Sequence, residues 1–291
     1  MSQSSKFIIL TIIFINLSTL NSISLKSNGV ILIGTKLKTI FEDKEYIAFY
    51  NIPYARPPTS GRRFKPPQEY NHLSEEGILD YRKPRREPFS LRYSEDCLYL
   101  SIFRPTSSNE TQNYAVLVWT NNNANSYGPD FFIDENVLVV TVSFRTSIFG
   151  FLNTEDDFAE GNMGAKDILT ALKWLRDHIS LFNGDPNRVT IIGSGTAATS
   201  VASMLVSVAA DDLFTRAIII DGSALSPADY SQNNFEICAK LYKKLKVRYD
   251  NFNRKELYNI LRNLTTEQLL ECRSLYDSTE LLPKDRMQET S

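Results

Sequence analysis

The stretch RVTIIGSGTAATSVASM, residues 188–204, passes from strand to helix within three residues. Val189, Ile191 and Ile192 form a short apolar, β-branched run, which suits a buried strand. Small residues follow from Thr196, and a helix is expected over residues 196–208. Gly193-Ser194-Gly195 joins the two as a sharp turn. A phosphate-cradling glycine loop has a similar order, but it needs a lysine behind the second glycine and none is present. No cofactor and no metal is expected.

Working outward, the pattern alternates strand and helix without internal repeats. Ile168, Leu169, Leu172, Leu175, Ile179 and Leu181 recur at helical spacing, predicting an amphipathic helix over residues 164–182. Asn183-Gly184-Asp185-Pro186 stops it in a turn. Residues 98–103, 115–120 and 137–144 read as strands, the last two as continuous apolar runs suited to burial on both faces. Residues 29–50 alternate as antiparallel strands do, and residues 51–67, with five prolines, form a rigid loop. Beyond the turn come a strand at 217–220 and helices near 235–245, 254–261 and 266–276. This order predicts an α/β fold: a mostly parallel central sheet flanked by helices, with a few small antiparallel strands at the N-terminus.

A chain of 291 residues that is 42% hydrophobic can bury a sizeable core, and a net charge of −2 gives no reason to expect a nucleic-acid partner. Its basic run, Arg82-Lys83-Pro84-Arg85-Arg86, reads as a solvated loop. Lys6, the apolar residues 7–15 and Ser22-Ile23-Ser24 have the layout of a secretory signal peptide over residues 1–24. That apolar run is too short to span a bilayer comfortably, so no stable membrane insertion is expected. The domain then covers residues 25–282 and a polar tail residues 283–291. Secretion makes Asn109 and Asn263, both in N-glycosylation sequons, candidate acceptors. Of three cysteines, Cys238 and Cys272 are candidates for a disulfide that their spacing leaves open.

Several ordered blocks carry a resemblance. They are FYNIPYARPP at residues 49–58, Arg63-Phe64, SEDCLYL at 94–100, YGPDF at 127–131, FGFL at 149–152 and GDPNRVTI at 184–191. The chain resembles the cholinesterase/carboxylesterase type B family on the α/β-hydrolase fold, and its YGPD block resembles the insect branch. The resemblance implies two structural ion pairs, Arg63 with Glu95 and Arg145 with Asp167. It also implies that the turn matches Gly-x-Ser-x-Gly, with Gly195 at the serine's place. The oxyanion glycines are matched by Asn123 and Ala124, after Asn121 and Asn122, with Thr196 supplying the other oxyanion position. His72 and His178 are the two histidines, and neither matches the family's catalytic one.

The expectation is therefore an inactive homologue of carboxylic ester hydrolases that spans the N-terminal half of the fold. It is expected to be secreted and to act in binding or adhesion; the alternative is a truncated remnant of such a hydrolase. The strand at Ala217, Ile218, Ile219 and Ile220 is expected to leave an open sheet edge that another protein chain completes.

Overall fold

The computed structural model describes residues 22–27, 30–70, 73, 77–82, 94–106, 113–120, 128–225, 234–245 and 253–276. Among the described residues nine strands form one sheet: β1 (Ser22–Ser27), β2 (Val30–Lys38), β3 (Glu45–Pro53), β4 (Gly77–Asp80), β5 (Tyr99–Pro105), β6 (Tyr114–Thr120), β7 (Leu138–Val142), β8 (Gly184–Ser194) and β9 (Arg216–Ile220). Their spatial order is β1-β2-β3-β5-β7-β6-β8-β9, and β4 also pairs with β2. The helices are α1 (Asp130–Asp134), α2 (Ser147–Phe151), α3 (Met163–His178), α4 (Thr196–Met204), α5 (Asn234–Lys244), α6 (Arg254–Asn263) and α7 (Thr266–Tyr276).

The sheet is mixed: the expected parallel strands are joined by the expected antiparallel N-terminal ones, which extend as far as β7. From β1 to β7 the neighbours β1-β2, β2-β3, β3-β5 and β5-β7 are antiparallel. The run β7-β6-β8-β9 is parallel. β4 adds a further parallel pair on β2, with Val30 opposite Gly77 and Ile33 opposite Asp80.

Side chains alternate across the central strands. In β3, Ile47 and Phe49 enter the main core while Tyr46 and Ala48 enter a smaller cluster with Phe103 and Ile133. All five residues of β7 are buried, as a strand covered on both faces requires. On α3, Asp167, Ile168, Ala171, Leu172, Trp174 and Leu175 are buried, one stripe of the helix. The helix ends at His178, earlier than its apolar spacing suggested, and passes into a 3-10 turn over Ile179–Phe182 closed by Asn183 at φ 61°. A second apolar cluster holds Phe64, Ile148 and Leu152 against Leu241, Tyr242, Leu257 and Leu261 from α5 and α6.

Three boundaries differ from the sequence reading. β1 begins at Ser22, inside the stretch assigned to the leader, and Ser22 to Ser27 pair with Thr35 to Val30. β8 begins at Gly184, within the expected turn, because Gly184 already pairs with Tyr114 ahead of an irregularity before Val116. α4 stops at Met204 rather than near residue 208, where a separate 3-10 turn stands at Val208–Ala210.

Candidate functional site

β8 and α4 meet at Gly195, which has φ 58° and ψ −127°. That is a region glycine enters freely and other residues enter under strain. Hydrogen bonds hold the turn on both sides. The Gly195 N–H donates to the Ile220 carbonyl at 3.1 Å, and the Ala198 N–H donates to the Gly195 carbonyl at 2.9 Å. Gly193 allows the close approach of helix to strand. A Cβ there would lie 2.8 Å from the Ala197 carbonyl oxygen and 2.8 Å from the Ala198 Cα. At Gly195 itself nothing among the described residues stands within 4 Å of where a Cβ would be, and the residue is exposed. The apex is thus a strand-to-helix elbow that presents an empty position to solvent.

The β6–β8 register brings the second candidate region beside it. Thr120, the last residue of β6, is paired with Gly193, and its hydroxyl donates to the Ile192 carbonyl at 2.7 Å. The chain therefore leaves β6 next to the elbow. Asn123 and Ala124 follow, but they lie outside the described residues, as do His72 and Asn109. Thr196 opens α4 directly behind the apex.

His178 is remote from this turn. It ends α3, at the other end of β8, with its ring 4.8 Å from that of Trp174. Burial holds its imidazole below the usual range, and the neighbouring Asp177 opposes this. Among the described residues no cluster of His, Cys, Asp and Glu side chains offers a metal site. An open depression of about 640 Å³ is lined by Asn253, Glu256, Asn259 and Asn263, and no residue of the turn borders it.

Among the described residues two ion pairs are buried, Arg145 with Asp167 and Arg63 with Glu95. The Arg145 guanidinium donates to both oxygens of Asp167, from Nε at 2.8 Å and from NH2 at 2.7 Å. The backbone N–H of Arg145 donates to the same carboxylate at 3.1 Å, and its NH1 reaches the Lys65 carbonyl at 2.8 Å. Asp167 is 0% exposed and Arg145 3%. Burial pushes the Asp167 carboxyl up, and Arg145 opposes that rise. The Arg145 carbonyl is in turn packed against two glycines: a Cβ at Gly150 would be 2.2 Å from it and one at Gly164 2.3 Å.

Arg63 does more than pair with Glu95. Its Nε donates to Glu95 at 2.8 Å, and NH2 makes a second, shorter contact with the same carboxylate. Its NH1 donates to the carbonyls of Leu261, Arg262 and Leu264, capping the C-terminal end of α6 where carbonyls lack helical partners. Glu95 also accepts from the Thr266 hydroxyl at 2.7 Å, at the start of α7. The pair thus ties the loop after β3 to two helices about 200 residues away in sequence. No local pattern reveals those carbonyl contacts, because they depend on where α6 ends in space.

Cys238 and Cys272 lie on α5 and α7 in the second apolar cluster, and both are free thiols, so the disulfide left open by their spacing is not formed. Cys238 Sγ donates to the Asn153 carbonyl at 3.5 Å. Burial pushes the Cys238 thiol up to about 12, and burial raises Cys272 as well. The folded state therefore keeps a proton on Cys238 that the unfolded chain releases above pH 9.0. Its contribution to stability is complete below pH 9 and is lost as pH rises toward 12, at up to about 1.4 kcal/mol per unit. Urea melts across that window should be steeper in pH for the parent than for Cys238→Ala. Iodoacetamide at pH 8 should modify Cys238 only after unfolding, since the thiolate is the nucleophile.

A mixed sheet flanked by helices, with a sharp elbow between β8 and α4, defines an α/β-hydrolase architecture. The structure superposes on juvenile hormone esterase from Manduca sexta with a TM-score of 0.74 at 24% identity, covering 86% of this chain and 50% of that one. The pattern of the carboxylesterase family matches residues 22–285, and the chain belongs to that family. It is 32% identical over 248 residues to liver carboxylesterase 1 of Oryctolagus cuniculus, covering 77% of this chain and 44% of that protein. It is also 32% identical over 228 residues to venom carboxylesterase-6 of Apis mellifera, covering 72% of this chain and 40% of that protein. The chain spans less than half the length of these curated relatives.

Proposed function

We propose that this chain is a secreted, non-catalytic member of the carboxylesterase family that acts by binding rather than by hydrolysis. The observation that carries this is Gly195: the elbow keeps its sharp geometry, and its apex has no side chain to attack a carbonyl. The neighbouring hydroxyls do not replace it. Ser194 is the last residue of β8, half-buried and paired with Ile220, and a one-residue shift along a strand turns a side chain to the opposite face. Asn123 and Ala124 replace glycines where a negative oxygen would need close backbone N–H groups. The sole histidine among the described residues stands at the other end of β8.

The test is hydrolysis of p-nitrophenyl acetate by the purified chain, expected to stay at the buffer rate. Turnover that disappears in Ser194→Ala or Thr196→Ala would overturn the reading. Gly195→Ser is expected to leave the rate at background too. It meets no steric obstacle, but at φ 58° it should cost about 1–2 kcal/mol of stability, read by urea unfolding.

The exposed β9 supports association as part of that role. Ile218, Ile219 and Ile220 are exposed by 44%, 36% and 45% on a strand paired only through β8 among the described residues. An apolar edge of this kind invites a further strand from another chain. Sedimentation velocity showing a clean monomer at all concentrations would remove this part. Among the described residues no helix is long and apolar enough to cross a membrane. Asn263 is exposed at the end of α6, and a glycosidase-sensitive mass on its peptide in secreted material checks both secretion and glycosylation.

A further inference from the structure

The turn between β2 and β3 carries a second apolar surface, distinct from the β9 edge. Ile40 is 82% exposed, Phe41 63%, and Phe131, on α1, 68%. Phe41 and Phe131 stack on each other with ring centroids 4.6 Å apart and planes at 25°. Two large aromatic rings left in water on neighbouring elements are unfavourable unless something covers them.

The backbone beneath is fixed. Thr39, 2% exposed, donates its N–H to the Lys44 carbonyl at 2.9 Å, and its hydroxyl accepts from the Lys44 N–H at 3.0 Å. The Ile40 N–H donates to Asp130 Oδ1 at 3.0 Å, which joins the turn to α1, and Lys44 Nζ donates to the Asp134 carbonyl. The rings are therefore presented by hydrogen-bonded structure, and a partner would lose little entropy in ordering them.

The surrounding charge is acidic. Lys36 is paired with Glu45 at 2.6 Å and Lys44 with Glu42 at 3.1 Å. Among the described residues Asp43, Asp130 and Glu135 have no ion-pair partner, against the single exposed Lys38. An apolar centre whose own turn and helix carry uncompensated carboxylates selects for a partner that is apolar in the middle and positive at its margins. It disfavours an anionic lipid surface.

We propose that Ile40, Phe41 and Phe131 form a docking surface for a segment of another protein that has an aromatic or aliphatic anchor flanked by lysine or arginine. The anchor packs on the stacked rings, and its flanking cations meet Asp43, Asp130 and Glu135. This goes beyond the non-catalytic reading and does not depend on Gly195, so esterase activity would leave it standing.

The test uses the full chain and two short synthetic peptides with a central Trp-Leu pair, one flanked by lysines and one by glutamates, in isothermal titration calorimetry. The lysine peptide should bind at least about tenfold tighter than the glutamate peptide, with affinity falling as salt rises. Phe41→Ala and Phe131→Ala should each weaken it by about tenfold, the scale of an aromatic anchor, without lowering the melting temperature because both rings are exposed. The paired variant Asp43→Asn with Glu135→Gln should flatten the salt dependence. Equal binding of both peptides, no measurable binding, or binding unaffected by the phenylalanine variants would overturn the proposal. So would partition onto phosphatidylcholine vesicles, or self-association in sedimentation velocity, that the same phenylalanine variants abolish.

Discussion

Asp167→Ala is expected to lower the stability of the folded chain by about 3–5 kcal/mol, because it leaves the Arg145 guanidinium buried without its counter-charge. Arg145 is 3% exposed and spends two side-chain donors and its backbone N–H on that carboxylate. Burying both charges is itself costly, as the upward push of burial on Asp167 indicates. Removing both together should therefore hurt less than removing one. Urea unfolding of Asp167→Ala, Arg145→Leu and the double variant Arg145→Leu with Asp167→Ala forms the test cycle. A double variant as unstable as the sum of the two singles would show that the pair does not act as a unit.

Gly164→Ala should cost on the order of 3 kcal/mol, against the sign that helix propensity gives. Gly164 lies in the first turn of α3, where alanine is better than glycine by up to about 1 kcal/mol. The added Cβ would sit 2.3 Å from the Arg145 carbonyl oxygen and 2.7 Å from the Phe151 ring. Phe151 can swing, but the carbonyl cannot retreat easily, since Gly150 already packs against it from another side at 2.2 Å by the same measure. The strain falls on the residue that holds Asp167, so Gly164→Ala combined with Asp167→Ala should be non-additive. A stabilised Gly164→Ala, seen as a higher urea midpoint, would mean that α3 moves away freely.

Much of the fold was legible because it is local. The spacing of Ile168, Leu172 and Leu175 marks α3, and the apolar run ending at Gly193 marks β8. Expected bounds for α7 coincide with the observed Thr266–Tyr276, since polar residues punctuate a short chain of helices there. Strand direction was less legible. β5 pairs antiparallel with β7, and nothing in its seven residues encodes that choice. The tight helix end at His178 was missed because Ile179 and Phe182 keep an apolar spacing while the backbone changes to a 3-10 turn and stays buried.

The candidate site divides in the same way. Glycine at position 195 is a fact of the sequence, and so are the asparagines at 121–123. Their significance came from a resemblance spread over many blocks, which local physics alone does not supply. That Gly195 still occupies a left-handed elbow with open space at its Cβ is a property of how β8, α4 and the Ile220 carbonyl are packed.

By itself the sequence determined the element order, the chemical emptiness of the elbow apex and the charges available for pairing. These depend on residue type and short-range periodicity, which tertiary contacts leave unchanged. Tertiary structure alone decided that β5 pairs antiparallel with β7, that Arg63 caps α6, that Cys238 and Cys272 stay unbonded, and that Phe41 stacks on Phe131 at the surface. Each of these joins residues far apart along the chain. Their proximity is set by the packing of whole elements, and no window of sequence contains it.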